Sequence, residues 1–313
     1  MATGVLETPF REPVNFAQDA DGGGIHDDAT AQKLGMRGGT VAGSIHMNQF
    51  VPLLQKAFGE RAWFEQGCLS CYFLSPTVHL EPVKAFVQPA AAAATAASAW
   101  METEDGTKVL EGTASVGIVT GGPASALEAR LARNKVPSEP LRILAGLRVG
   151  AKSARVPARY DFGKRLPWGN LEWGPAQYEL TTEPIPWYID PSTSPWGARV
   201  LPPQHMYNIF NQRQYRRHQP LFPEPPGGGG SGGESVGLLG GVEVSTVGNG
   251  PILCDRDYTV EWEVVALGAS PKTEISWIRG TLRELDGAEV ARSLTMSRVM
   301  KASSPMYAKD AKL

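Results

Sequence analysis

Residues 76–87 read PTVHLEPVKAFV and residues 251–262 read PILCDRDYTVEW. Each stretch is a proline, six residues, and then a run in which apolar and polar side chains alternate. Alternation with a period of two marks a strand with one buried face. The two stretches lie 175 residues apart, and a second pair follows in the same order: Asp105-Gly106 and Asp286-Gly287, 181 residues apart, each between extended runs. Asp-Gly is a strong hairpin signal because both residues tolerate positive φ. Two matched pairs at nearly one spacing imply a duplicated unit.

A helical signal precedes the strands in each copy. Residues 40–58 carry Val41, Ile45, Phe50, Leu53, Leu54 and Phe58 on a helical stripe, with Pro52 inside it. Residues 203–217 begin with a proline suited to a first helical turn and place Met206, Ile209 and Phe210 on one side. Each half therefore reads as one long helix followed by an antiparallel meander, an α+β arrangement. The alanine run 90–94 favours a helix by propensity, yet it sits between a strand and a hairpin and is read as extended, its small side chains leaving room for a packed neighbour. The boundary is expected near residues 120–140, giving units 1–130 and 131–313. The Pro/Gly-rich segment near 219–235 is a flexible insertion within the second.

Composition narrows the function classes. The chain of 313 residues is 42% hydrophobic and 20% charged, an ordinary globular balance. A net charge of -2 gives no reason to expect nucleic acid or an anionic membrane as partner. Three cysteines are too few for a disulfide framework, and Cys68 and Cys71, though spaced as CxxC, fall in a strand pattern that points them to opposite faces. No apolar run approaches the roughly 20 residues that span a bilayer. Residues 1–20 lack a signal-peptide pattern, so a cytoplasmic location is expected. His79 and His205 have no companions at metal-ligand spacing, so no metal or cofactor is expected.

One loop before the first helix carries chemistry. Asp21-Gly22-Gly23-Gly24-Ile25-His26-Asp27-Asp28 places a carboxylate and an imidazole five residues apart, followed by Asp28, Ala31, Gly35 and, at the helix entrance, Gly43. This pattern resembles the fingerprint of the MaoC-like R-specific enoyl-CoA hydratases and dehydratases, which runs Gly-Asp-x-Asn-Pro-aliphatic-His, then an acidic residue, an alanine and a glycine before a long helix. The family's Asn-Pro is replaced here by Gly23-Gly24, and its His-Gly at the helix entrance by Ala42-Gly43. The resemblance implies a double hotdog fold, two long helices each wrapped by an antiparallel sheet, and a homodimer. It further implies Asp21 and His26 as catalytic residues, Gly43 in the oxyanion hole, and an acyl-thioester substrate, carried on CoA.

The chemistry agrees with that assignment. Hydration of a 2-enoyl thioester needs groups that move the protons of one water, and donors for the enolate oxygen. Asp21 and His26 supply the former, and backbone N–H groups at the helix start near Gly43 the latter. Arg213, Arg216 and Arg217 form a basic cluster able to hold CoA phosphates; a solvated helix end is the plainer reading of the same residues. His46, one turn into the helix, reads as a packed or solvated side chain. Matching Phe16 to Trp187 sets Ser192 opposite Asp21 and Gly197 opposite His26, so the second copy carries a degenerate loop. Two other readings of the chain are a hotdog thioesterase or a dehydratase or isomerase of a non-CoA metabolite, and a non-catalytic acyl-binding protein.

Overall fold

The computed structural model describes residues 4–16, 24–90, 93–117, 125–164, 174–211 and 235–307. In chain order the elements are β1 (Leu6–Glu7), α1 (Asp28–Lys33), α2 (Gly43–His46), a 3-10 segment (Met47–Phe50), α3 (Val51–Phe58), α4 (Glu60–Gln66), β2 (Gly67–Phe73), β3 (Val83–Ala90), β4 (Ala93–Thr103) and β5 (Lys108–Val116). The second half adds α5 (Ala126–Leu131), β6 (Val156–Arg159), α6 (Pro175–Glu179), α7 (Pro203–Phe210), β7 (Gly237–Thr246), β8 (Asp257–Ala269), β9 (Thr273–Arg283) and β10 (Glu289–Met300).

The strands form one antiparallel sheet of ten in the order β1-β3-β4-β5-β2-β7-β10-β9-β8-β6. That order is a palindrome of connectivity about the β2–β7 pair, where Cys68 pairs with Ser245 and Tyr72 with Gly241. The alternation seen in the sequence sorts the faces. Val83, Ala85 and Val87 of β3 and Tyr258, Val260, Trp262 and Val264 of β8 point into the main core with the helices. On the other face α5 lays Leu127 against Ile275, Trp277, Leu294 and Met296. Cys71 belongs to the main core while Cys68 lies on its neighbouring, opposite face, and burial raises the pKa of both thiols. Both cysteines are free, as the strand pattern required.

The first helical stretch is continuous from Gly43 to Phe58 but tightens into the 3-10 segment at its middle. Pro52 falls in the first turn of α3, directly after the 3-10 segment. α7 begins on Pro203 as expected and is described to Phe210; residues 212–217 of the expected helix lie outside the described residues. The two helices meet through buried amides: Asn48 Oδ1 accepts from the Gln204 N–H (3.0 Å) and Asn48 Nδ2 donates to Gln204 Oε1 (3.2 Å).

Duplication extends to backbone detail. Among the described residues only Leu80 and Asp255 take positive φ without being glycine, both at 59°, and they are 175 positions apart. The Asp-Gly hairpins also match, with Gly106 at φ 81° and Gly287 at φ 96°, closed by Thr103 N–H to Thr107 O (3.0 Å) and Glu284 N–H to Ala288 O (2.8 Å). In each hairpin only the glycine adopts positive φ. The aspartates instead accept from Thr107 N–H and Ala288 N–H, so each loop is a three-residue turn with a glycine bulge. Of the alanine run, Ala90 ends β3 and Ala93 begins β4, both extended, while residues 91 and 92 lie outside the described residues.

Replacing Asn48 by Ala removes the partners of two buried groups on α7. It is expected to lower stability by about 1–3 kcal/mol, read as a shift in denaturant midpoint at unchanged m-value.

Candidate active site

The turn between β2 and β3 organises the site. Thr77 O accepts from Val41 N–H (2.9 Å), Thr40 and Val78 form an isolated antiparallel bridge, and Leu80 N–H donates to Pro13 O (3.0 Å). Glu81 closes the turn on itself by accepting from Val78 N–H (3.0 Å) and receives both ends of the Arg37 guanidinium (2.9 and 2.7 Å). A planar fork on a carboxylate fixes orientation as well as distance. The segment from Arg37 to Val41 is thereby pinned to the turn.

Onto that segment the loop of His26 is folded. Thr40 N–H and its hydroxyl both donate to Ile25 O (2.8 and 3.2 Å), and Asn15 Nδ2 donates to His26 O (3.0 Å). Asp27 caps α1 through Thr30 N–H (2.8 Å), and Asp28 Oδ1 accepts from Gly39 N–H (2.6 Å). Gly39 is needed because a Cβ there would stand 2.2 Å from His26 O. The acidic residue of the fingerprint is therefore a tether for the loop.

His26 itself is half-buried, and its Nδ1 lies 2.6 Å from Thr40 O. A carbonyl only accepts, so Nδ1 carries the proton and Nε2 keeps its lone pair. Burial lowers the pKa below the ordinary imidazole value, with the Thr40 bond opposing. The ring is a neutral base at neutral pH. Asp21 lies outside the described residues, as do Arg213, Arg216 and Arg217.

Gly43 begins α2, and Ala42 before it supplies no side-chain cap. Its lack of a side chain has a packing cause: a Cβ would meet the Phe73 ring at 2.7 Å. His46 is a core residue, 2% exposed, with Nε2 2.8 Å from Thr77 Oγ1. His79 Nδ1 accepts from Asn15 N–H (3.1 Å). Among the described residues no group of three His, Cys, Asp or Glu is placed to hold a metal. No helix of the described residues is long and apolar enough to cross a membrane.

The register of the second copy differs from the sequence alignment. Val200 N–H donates to Trp187 O (3.0 Å) and Leu201 N–H to Ile252 O (3.0 Å), repeating Thr40 to Ile25 and Val41 to Thr77. His26 therefore corresponds to Tyr188, not Gly197. Matching Phe16 to Trp187 assumed loops of equal length, whereas backbone pairing sets the register. Tyr188 is fully buried, and burial raises its pKa, so this copy presents a neutral phenol where the first presents an imidazole. An open depression of about 850 Å³ lies at that half's own turn, beside Trp196, and its arginines are already paired, Arg199 with Asp255 (3.3 Å) and Arg256 with Glu284 (2.9 Å).

No protein-family model matches the chain, and no curated protein matches it in sequence. Solved structures do match it in fold. A MaoC domain dehydratase structure from Chloroflexus aurantiacus superposes with a TM-score of 0.55 at 10% identity, over 96% of this chain and 95% of its own. A conserved double hotdog protein from Mycobacterium tuberculosis gives 0.56 at 12% identity, over 96% and 97%. A MaoC-like dehydratase gives 0.53 at 12% identity, over 95% and 98%. The chain has the double hotdog fold, and its structural neighbours include MaoC-like dehydratases.

The sequence singles out His26 and Gly43 as candidates but not the residues that hold them: Thr40, Asn15, Thr77 and the Arg37–Glu81 pair. Their contacts are long-range, and no local pattern announces them.

Two buried histidines make stability acid-sensitive. Burial holds His46 at a pKa of about 4 and His205 at about 3, both below the ordinary 6.5. The unfolded chain then binds more protons below pH 6.5, so stability falls as pH falls through that window. His46 alone is expected to cost about 3 kcal/mol between pH 6.5 and 4. Urea titrations across this range should show the decline, and His46→Gln should make it shallower.

Proposed function

We propose that the protein reversibly hydrates a 2-enoyl thioester to the 3-hydroxyacyl thioester, with Asp21 and His26 activating one water. The observation that carries this reading is the hydrogen bond from His26 Nδ1 to Thr40 O, which leaves Nε2 as a base on the loop that also carries Asp21. In the hydration direction the water oxygen bonds to C3 and a proton is delivered to C2. The same two groups, sharing that water, take up and return the proton. Charge developing on the thioester oxygen is met by backbone N–H groups at the start of α2, beside Gly43.

The substrate is an acyl-CoA, with Arg213, Arg216 and Arg217 receiving its phosphates. Residues 1–130 supply the chemistry and residues 131–313 shape the acyl tunnel. The chain works as a cytoplasmic homodimer, and sedimentation of the purified protein measures its assembly.

Asp21→Asn and His26→Ala are each expected to reduce hydration of a 2-enoyl-CoA by at least about 100-fold, followed as loss of enoyl absorbance, with the circular dichroism spectrum unchanged. Undiminished turnover in both variants overturns the assignment. Release of free thiol from acyl-CoA by the wild type would identify a thioesterase instead.

A further inference from the structure

The helix that begins at Gly43 carries more polar side chains into the core than packing requires. His46, Gln49 and, from α7, Gln204 are 2%, 0% and 2% exposed. His46 Nδ1, both amide atoms of Gln49, and Gln204 Nε2 meet no hydrogen-bond partner among the described residues. Buried polar atoms in folded proteins are nearly always paired, because leaving one unpaired costs its full desolvation. Gln49 is the extreme case, a fully enclosed amide with neither donor nor acceptor satisfied by the described residues.

These residues lie on elements that pack against one another. His46 and Gln49 are three apart where the helix tightens into its 3-10 segment, and there side chains at i and i+3 eclipse. Gln204 lies on α7, which packs against α2 and the 3-10 segment and is hydrogen-bonded there to Asn48. Gly43, His46 and Gln49 thus form a line running from the helix start inward. Six residues of mixed helical rise give it a length of about 9–12 Å.

We propose that this line is a recognition site for a hydrogen-bonding group on the acyl chain, a hydroxyl, carbonyl or amide carried about 9–12 Å from the thioester. The proposal rests on the hydratase reading for its placement of the thioester at Gly43. Gln49 offers both a donor and an acceptor, and Gln204 Nε2 and His46 Nδ1 add to them. A plain alkyl chain in the same place would leave all of them facing methylene groups, which a site built to hydrogen-bond its substrate penalises. The favoured substrate is therefore an oxygenated acyl thioester rather than a simple fatty acyl one.

Binding of two saturated thioesters, octanoyl-CoA and ω-hydroxyoctanoyl-CoA, tests this by calorimetry without requiring turnover. The hydroxylated ligand is expected to bind the wild type about tenfold more tightly. Gln49→Leu should abolish the difference without lowering the melting temperature, since it removes an unpaired buried amide. Gln204→Met provides a second variant with the same expectation should Gln49→Leu fail to fold, and His26→Ala should keep the preference. Equal binding of the two ligands to the wild type, or a preference that survives both Gln49→Leu and Gln204→Met, overturns the inference. Turnover of a 2-enoyl-CoA, measured separately, decides the hydratase reading, so the two can fail independently.

Discussion

Thr40 is bonded on both sides of its position in the chain, and the site depends on that constraint. Its N–H reaches Ile25 O and its own carbonyl receives His26 Nδ1, while the bridge to Val78 holds it on the turn before β3. A carbonyl fixed in this way selects one imidazole tautomer. The Arg37–Glu81 pair and the Asp28 contact with Gly39 add stiffness around it. These charges are partly exposed, so their value lies in geometry more than in stability. Asn15 and Gly39 hold the same loop, at His26 O and at Asp28.

The duplicated fold explains why the constraint is available. Each copy builds the same turn with a strained left-handed residue, Leu80 in one and Asp255 in the other, and each hangs a short bridge from it, to Thr40 and to Val200. Joined at β2 and β7, the copies share one sheet and bring their helices together at Asn48 and Gln204. The first copy then places an imidazole where the second places the buried phenol of Tyr188. At the spacing of 160 that relates Thr40 to Val200, Asn48 and Phe50 fall opposite Asn208 and Phe210, and all four are buried. The two halves diverge at the loop and agree in the helix.

Much of the fold was legible because it rests on local periodicity. Alternation in 83–87 and 258–264 marked strands, the Asp-Gly pairs marked hairpins, and context overrode propensity at the alanine run. Of the two hairpin residues that tolerate positive φ, a three-residue loop uses it only at the glycine. In the site, His26 and Gly43 were visible as a spacing before a helix. The reason for Gly43 was not: Phe73 lies thirty residues on and reaches it only in the folded chain. The counterpart of His26 was misplaced for a similar reason, since loop length carries no information about which carbonyl pairs with Val200.

The tautomer of His26 is the most direct test of the account. Nitrogen NMR of protein labelled at histidine, with His26 assigned by its loss in His26→Ala, should show at neutral pH a protonated Nδ1 and an unprotonated Nε2. A ring protonated at Nε2, or charged at that pH, would contradict it, because no base would then stand on the loop to share a water with Asp21.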